Sequence, residues 1–182
     1  ISIIRLSGKD ALSIANKICG RLTPRVAHLK ELKDKAGNIL DEAIVIYFKA
    51  PFSFTGEDVV EFQTHGGVVV ANLIIDEILA YGARIADPGE FSKRALLNGK
   101  IDLAKAESIQ GLINARSEGA AKILARVMSG ELGLFCDTLR DELISTLAYT
   151  ETCIDYADDD LPTDIMEQIK LKLKEASAKL DH

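Results

Sequence analysis

Three carboxylates lie close together in the stretch FSFTGEDVVEFQTHGG, at Glu57, Asp58 and Glu61. A short strand is predicted over residues 58–63, and side chains alternate between the two faces of a strand. Asp58 and Glu61 should therefore lie on opposite faces, whereas Glu57 and Glu61 share one face if the strand is regular. A carboxylate on that face can accept two parallel hydrogen bonds from an N–H edge such as that of a pterin or guanine. A simple solvated glutamate is the alternative.

A second stretch, DPGEFSKRALLNGKI at residues 87–101, leads from a Pro-Gly turn into the cations Lys93, Arg94 and Lys100. A solvated loop is the simplest interpretation of this segment. The other interpretation is that a cation preceded by glycine, such as Lys100, meets an anionic or carbonyl-rich ligand.

Common catalytic motifs are missing from the sequence. It contains no Gly-x-Ser-x-Gly, no His-Glu-x-x-His and no Gly-x-x-x-x-Gly-Lys-[Ser/Thr] phosphate loop, because Gly99-Lys100 is followed by Ile101. His65 precedes two glycines and is predicted to belong to a turn rather than to a metal or acid–base site. The aspartates at 155 and 158–160 are predicted to be a solvated helix end rather than a divalent-ion site.

Composition indicates a folded, soluble protein. The 182 residues are 47% hydrophobic and carry a net charge of −6. Residues 1–100 hold 13 Lys and Arg against 12 Asp and Glu, whereas residues 101–182 hold 9 against 16, which suggests two units. The acidic second half is a poor electrostatic partner for nucleic-acid phosphates, so any RNA contact should be local or lie outside this chain.

Cysteine usage and hydropathy point to the cytoplasm. Cys19, Cys136 and Cys153 are odd in number and far apart, so neither a disulfide framework nor a zinc site is predicted. No apolar run approaches the roughly 18 residues of a membrane span, and no cleavable signal pattern occurs. We therefore expect a cytoplasmic protein without membrane contact.

The first hundred residues predict an α+β domain. A strand at ISIIRLSG, a helix from about Ala11 to Ile18, a hairpin at residues 25–50, a strand at 58–63, a helix from about Val69 to Ile78 and a last short strand at ARIADPG follow one another. This order lacks regular βαβ alternation, which favours a mixed sheet. We assign residues 1–100 to this domain.

Residues 101–182 predict part of an α-helical bundle. Apolar residues recur at helical spacing over 103–127, 132–154 and 165–180, which indicates three helices. Pro162 should end the second helix, and Thr163 or Asp164 should cap the third. Because the last apolar stripe reaches Leu180, we expect partner helices from sequence beyond His182, and the Ile at position 1 suggests that residues are also missing before it.

Three stretches carry a family resemblance. IIRLSG, FSFTGEDVVEFQTHGG and above all DPGEFSKRALLNGKIDLAKAESIQGLINA resemble the N-terminal part of the tRNA-modification GTPase family MnmE, also called TrmE, with matching order and spacing from Arg5 to about Asp160. The resemblance implies a homodimerising domain that binds tetrahydrofolate and is similar to the folate domain of the glycine-cleavage aminomethyltransferase. A helical domain follows, into which the family inserts its G domain.

The resemblance also implies cofactors, partners and site residues. Arg5, Glu61 and Lys100 match three folate contacts of the family, and the ligand would be 5-formyl- or 5,10-methylene-tetrahydrofolate. GTP, Mg²⁺ and K⁺ would belong to the G domain, which this sequence does not contain. The family enzyme acts with the FAD protein MnmG on carbon 5 of the wobble uridine of tRNA. No catalytic residue or metal ligand is assigned within this chain.

Each of these three residues also has a purely structural interpretation. Arg5 could form a strand-end ion pair, Glu61 could be a surface residue, and Lys100 could be solvated near a helix end. At the level of function, a stand-alone folate-dependent one-carbon transferase and a structural dimerisation module without folate binding are the two alternatives.

Overall fold

The computed structural model describes residues 1–155 and 164–180. The chain divides into two compact units, Ile1–Ala106 and the part from Glu107 onward. The elements, in chain order, are β1 (Ser2–Ser7), α1 (Ala11–Cys19), β2 (Ala27–Lys33), β3 (Ile39–Phe48), β4 (Val59–Thr64), α2 (Val68–Ala80), α3 (Glu90–Leu97), α4 (Leu103–Ile113), α5 (Glu118–Ser129), α6 (Glu131–Asp155) and α7 (Ile165–Leu180).

The first unit is built on a four-stranded sheet in the order β1-β4-β3-β2. Arg5 stands opposite Glu61 in the β1–β4 register, and Ile46 stands opposite Glu61 in the β3–β4 register. β1 and β2 are the two edges, so β1 pairs with β4 along one side only. The predicted helices near 11–18 and 69–78 and the hairpin at 25–50 are confirmed, with boundary shifts of a few residues.

One face of the sheet is covered by helices. Val60 and Phe62 on β4 and Val45 on β3 are fully buried, and they pack with Ile14 of α1 and Ile74 of α2. The other face is more open, because Ile3, Leu29 and Ile44 there are 59%, 66% and 41% exposed. Because side chains alternate along a strand, Arg5 and Glu61 lie on the open face, whereas Val60 and Phe62, which flank Glu61, lie in the core.

Two details of the predicted first domain are wrong. The sheet is not mixed, because all pairs of named strands are antiparallel and the parallel contact seen is an isolated bridge between Pro24 and Tyr47. No strand forms at ARIADPG, where polar groups bond locally: Arg84 donates to the Ile85 carbonyl, and the Asp87 N–H donates to Glu90. Short connections from β2 to β3 and from β3 to β4 give antiparallel neighbours, which accounts for the first error.

The second unit is helical, as expected, but its first apolar stripe is broken. α4 ends at Ile113, and α5 begins after Ser117, whose hydroxyl accepts a hydrogen bond from the Ala120 N–H at 3.2 Å. Ile113 and Ala120 are seven residues apart, which is about two helical turns, so the apolar spacing continues through the break. Periodicity alone therefore did not predict the break. Pro162 and Thr163 lie outside the described residues.

Helix packing in the second unit leaves a small core. α6 packs against α5 and α7, and Lys179 of α7 binds Glu142 of α6 at 2.6 Å. From Glu107 onward, the buried residues among those described are Ser108, Thr146, Ile169 and Ala176. Large apolar side chains remain exposed on α6, including Leu134, Leu147 and Ile154.

Candidate functional site

Arg5 and Glu61 form an ion pair on the open face of the sheet. Arg5 Nε donates to Glu61 Oε1 at 2.8 Å, and Arg5 Nη2 lies 2.7 Å from the same oxygen as an ion-pair contact. The Glu61 side chain is 16% exposed and that of Arg5 is 40% exposed. Glu61 Oε2 receives no hydrogen bond from the residues that the structure describes. The pair therefore retains an acceptor for a ligand.

Two aromatic rings flank the Arg5 guanidinium. Its carbon lies 5.8 Å from the centre of the Phe54 ring and 5.9 Å from that of Phe91. These are cation–π distances, so the rings restrict where the guanidinium can move. Phe54 is 38% exposed and offers a flat apolar surface beside the ion pair.

Phe54 belongs to the loop of residues 50–58, which several hydrogen bonds hold in place. Asp58 Oδ1 accepts from the Tyr47 hydroxyl at 3.0 Å and from the Ala50 N–H at 2.8 Å. The Thr55 hydroxyl is fully buried and lies 2.7 Å from the Ser7 hydroxyl. Burial and the hydrogen bond to Asp58 raise the pKa of Tyr47 to about 12, so this phenol stays a donor across the physiological range.

Lys100 lies against the same loop. The Asn98 amide donates to the Thr55 carbonyl at 2.7 Å, and the Lys100 N–H donates to the Ala95 carbonyl at 2.8 Å. Gly56 has a φ of +80°, and a Cβ added there would lie 3.2 Å from Lys100 Cγ. Within the described part of the chain, the Lys100 ammonium has no acceptor and touches neither Arg5 nor Glu61.

A cleft of about 610 Å³ opens along the unpaired edge of β1. Arg5 and Ser7 of β1, Ile14 of α1, Ile78 of α2 and Phe91 of α3 are among its lining residues. Its size suits a small-molecule ligand. Arg5 belongs both to this cleft and to the ion pair with Glu61, whereas Glu61, Phe54 and Lys100 do not line the cleft.

An ion-pair network that sequence reasoning missed borders the cleft. Arg94 Nη1 donates to Glu57 Oε2 at 2.9 Å, and the Ser7 hydroxyl donates to the same oxygen at 2.9 Å. Glu90 accepts from Arg94 at 2.6 Å and from Arg84 at 2.5 Å. Glu57 and Glu61, which we expected to share a face, are thus each bonded through one carboxylate oxygen, Glu57 to Arg94 and Ser7 and Glu61 to Arg5. The four-residue spacing of Glu90 and Arg94 was the available signal, since such pairs adjoin on a helix.

This network shifts the pKa of Glu90. Hydrogen bonds from Arg84, from the Asp87 N–H and from Arg94 lower it from its ordinary value of 4.5 to about 2. Glu90 is therefore ionised throughout the physiological range.

Of the other sequence candidates, His65 has a plain structural role. The His65 N–H and ring both bond to Asp41, at 2.9 and 2.8 Å. Asp158, Asp159 and Asp160 lie outside the described residues. Among those described, no group of three or more His, Cys, Asp or Glu is arranged to hold a metal ion, and no helix is long and apolar enough to cross a membrane. The three cysteines are unpaired thiols.

Comparison with known proteins agrees with the order of these motifs. A family model described as "GTP-binding protein TrmE N-terminus" matches residues 1–100, and one described as "MnmE helical domain" matches residues 103–182. The chain belongs to the MnmE family.

Curated MnmE relatives match along the entire chain. Proteins named tRNA modification GTPase MnmE are 70% identical in Campylobacter fetus, 61% in Campylobacter curvus and 58% in Aliarcobacter butzleri, each over 100% of this chain. The chain spans 42%, 41% and 41% of the length of these three relatives.

Of the three residues that the MnmE resemblance indicated, the structure brings two into direct contact. Arg5 and Glu61 bond to each other, whereas the Lys100 side chain lies against the loop of residues 50–58, beside Gly56. The ion pair considered for Arg5 is present, and it leaves Glu61 Oε2 without a donor in the described part of the chain.

Proposed function

We propose that this chain is the folate-binding and dimerising part of a tRNA-modifying GTPase. Its relatives carry the name tRNA modification GTPase MnmE. The parent protein would act in the cytoplasm with MnmG to place an aminomethyl-type group on carbon 5 of the wobble uridine of tRNA. GTP, Mg²⁺ and K⁺ would bind outside this chain, whose sequence has no phosphate loop.

The observation that carries the folate proposal is the half-used carboxylate of Glu61. A reduced folate presents adjacent N–H donors on its aminopyrimidine edge, and a carboxylate is the side chain that pairs with them through two parallel, charge-assisted bonds. No described residue donates to Oε2, and Oε1 is bound by Arg5, whose guanidinium can turn toward a ligand carbonyl. The acceptor oxygens of Glu61 and the donors of Arg5 therefore fit the pterin end of a folate.

The surroundings of the pair fit the rest of such a ligand. Phe54 offers a ring against which a flat heterocycle can stack. Lys100, whose side-chain stem lies beside Gly56 and whose ammonium has no acceptor among the described residues, can meet a carboxylate or carbonyl group further along the ligand. When bound, the folate would supply a one-carbon unit, and the residues named here would bind and orient it. An aminomethyltransferase-like arrangement of this domain belongs to the same proposal.

Dimerisation would use the open face of the sheet. In the strand registers, Leu29 stands opposite Ile44, which stands opposite Gln63, which in turn stands opposite Ile3. Three of these four side chains are apolar and exposed, and they form one row across all four strands. Exposed apolar rows of this kind are typical of protein–protein contacts. The two alternatives, a stand-alone one-carbon transferase and a dimerisation module without folate binding, have no observation of their own in their favour.

Calorimetric titration tests this function. The purified chain should bind 5-formyltetrahydrofolate, and 5,10-methylene-tetrahydrofolate should compete for the same site. p-Aminobenzoylglutamate, which keeps the tail but lacks the pterin, should bind far more weakly because it offers nothing to Glu61. Absence of folate binding by a folded chain would leave the structural dimerisation module as the better description.

A further inference from the structure

Arg94 links the helix α3 to the loop of residues 50–58. Its Nη1 donates to Glu57 in the loop at 2.9 Å, while its Nε and Nη2 donate to Glu90 in α3 at 3.0 and 2.6 Å. All three guanidinium nitrogens are thus engaged with protein carboxylates. The Arg94 side chain is one-third exposed, at 33%, so its contribution comes from these bonds rather than from filling the core.

The loop that Arg94 holds carries two groups next to the candidate ligand. Phe54 lies over the Arg5 guanidinium, and Gly56 lies against the Lys100 side chain. Glu57 directly follows Gly56 and is three residues from Phe54. A displacement of Glu57 therefore moves the aromatic surface and the lysine contact together.

We propose that Arg94 is a positioning residue for the folate site, acting through Glu57 to fix the loop of residues 50–58. This inference rests on the proposed function. A guanidinium suits the task because its planar fork reaches two carboxylates from different edges, which a lysine ammonium does not do. Ser7 also donates to Glu57, so loss of Arg94 loosens the loop without freeing it entirely.

The test compares four variants of the chain: Arg94→Gln, Arg94→Lys, Glu57→Gln and the double variant Arg94→Gln/Glu57→Gln. Lys93→Gln is the matched control, because it removes a positive charge from the same helix and its exposed side chain makes no ion pair within the described residues. Affinity for 5-formyltetrahydrofolate is measured by calorimetry. Hydrogen exchange of residues 52–58 is measured without ligand, and thermal unfolding of each variant is recorded.

Arg94→Gln should weaken folate binding about fivefold, in keeping with one partly exposed ion pair. Glu57→Gln should lower folate affinity by a similar factor. The double variant should lower it no further than either single variant, because each of the three removes the contact between Arg94 and Glu57. Arg94→Lys should recover part of the loss, and Lys93→Gln should match the parent. Without ligand, residues 52–58 should exchange faster in Arg94→Gln than in the parent, while β4 is unchanged.

Three results would overturn the proposal. Multiplied losses in the double variant would mean that Arg94 does not act through Glu57. Unchanged exchange of residues 52–58 in Arg94→Gln, or an increase spread evenly over the whole first unit, would remove the positioning role. If the parent chain itself fails to bind the folate, the proposed function fails, and the exchange of the ligand-free variants still decides whether Arg94 holds the loop.

Discussion

Lys100 carries a charge that no described residue compensates. Its ammonium has no acceptor among the described residues, although its stem is packed beside Gly56. We predict that Lys100→Ala weakens folate binding roughly three- to tenfold, because one partly exposed charge contact is lost. Calorimetry at low and high salt should show that this difference shrinks as salt rises, since screening weakens exposed charge contacts.

Lys93→Ala is the control for this measurement. It removes the same charge from an exposed position on α3. A loss of affinity in Lys93→Ala equal to that in Lys100→Ala would indicate a general charge effect and would contradict a specific contact.

Glu90 should impose a pH dependence on folding. Its folded-state pKa of about 2 lies below its ordinary value of 4.5. The stability that it contributes is therefore complete above pH 4.5 and is lost as the pH falls toward 2. Glu90→Gln should be less stable than the parent near neutral pH, and the difference should narrow on acidification through this window.

Urea unfolding followed by circular dichroism at a series of pH values measures this effect. Glu118→Gln is a suitable control, because Glu118 pairs with Lys122 on an exposed helix surface where both side chains are more than 70% accessible. A stability difference between Glu90→Gln and the parent that stays constant from pH 5 to pH 2.5 would contradict the assignment of the low pKa to Glu90.

Sequence reasoning located some of these residues and missed others for a physical reason. The family resemblance indicated Arg5 and Glu61, but strand alternation is a local signal and did not predict that these two residues, on different strands, pair with each other. The contact of Glu57 with Arg94 joins residues 37 positions apart through an irregular loop. Its geometry depends on Thr55 being buried against Ser7, and no periodic pattern encodes that packing.

At the scale of elements, the loop of residues 50–58 determines whether the site is assembled. Gly56 has a φ of +80°, and an added Cβ would meet both Asn98 and Lys100 at 3.2 Å. Gly56→Ala should therefore destabilise the fold by roughly 1–2 kcal/mol through backbone strain. It should also weaken folate binding, because Lys100 must shift.

Gly37 provides a matched control for this substitution. Its φ of +88° is similar, but an added Cβ there would meet nothing within 4 Å. Gly37→Ala should thus cost a similar free energy of unfolding and leave folate affinity unchanged. Chemical denaturation combined with calorimetry separates the two effects, and equal folate affinity in the two variants would contradict the proposed role of the loop.

The predicted elements were most accurate where local signals and packing agree. The hairpin of β2 and β3 has alternating side chains and a turn sequence, and the sequence predicted it correctly. The segment from Ala83 to Asp87 has the composition of a strand, yet it forms no ladder and its polar groups bond locally. The break between α4 and α5 was missed because the apolar spacing continued through it.

At the scale of the molecule, the open face of the sheet should join two copies of the chain. Ile44 lies on β3, one of the two inner strands of the sheet, and is 41% exposed. We predict that the parent is dimeric at tens of micromolar and that Ile44→Glu is monomeric, because a charge in an apolar contact is costly. Light scattering after gel filtration measures the mass, and circular dichroism verifies folding.

Ile123 offers the comparison for the dimer prediction, since it is an exposed isoleucine, at 64%, on α5 of the second unit. Ile123→Glu should stay dimeric. A monomeric parent, or dissociation by Ile123→Glu and not by Ile44→Glu, would rule out the open face as the contact.

The decisive experiment is the titration of Glu61→Gln with 5-formyltetrahydrofolate, in a sample shown to be folded and dimeric. Glutamine keeps the size of the side chain but places an N–H₂ donor against the donors of the pterin, so affinity should fall about ten- to a hundredfold, equivalent to roughly 1.5–3 kcal/mol. Asp76→Asn, which neutralises an exposed carboxylate on α2, should bind like the parent. If Glu61→Gln binds as tightly as the parent, Glu61 does not receive the pterin edge and the proposed folate site is wrong.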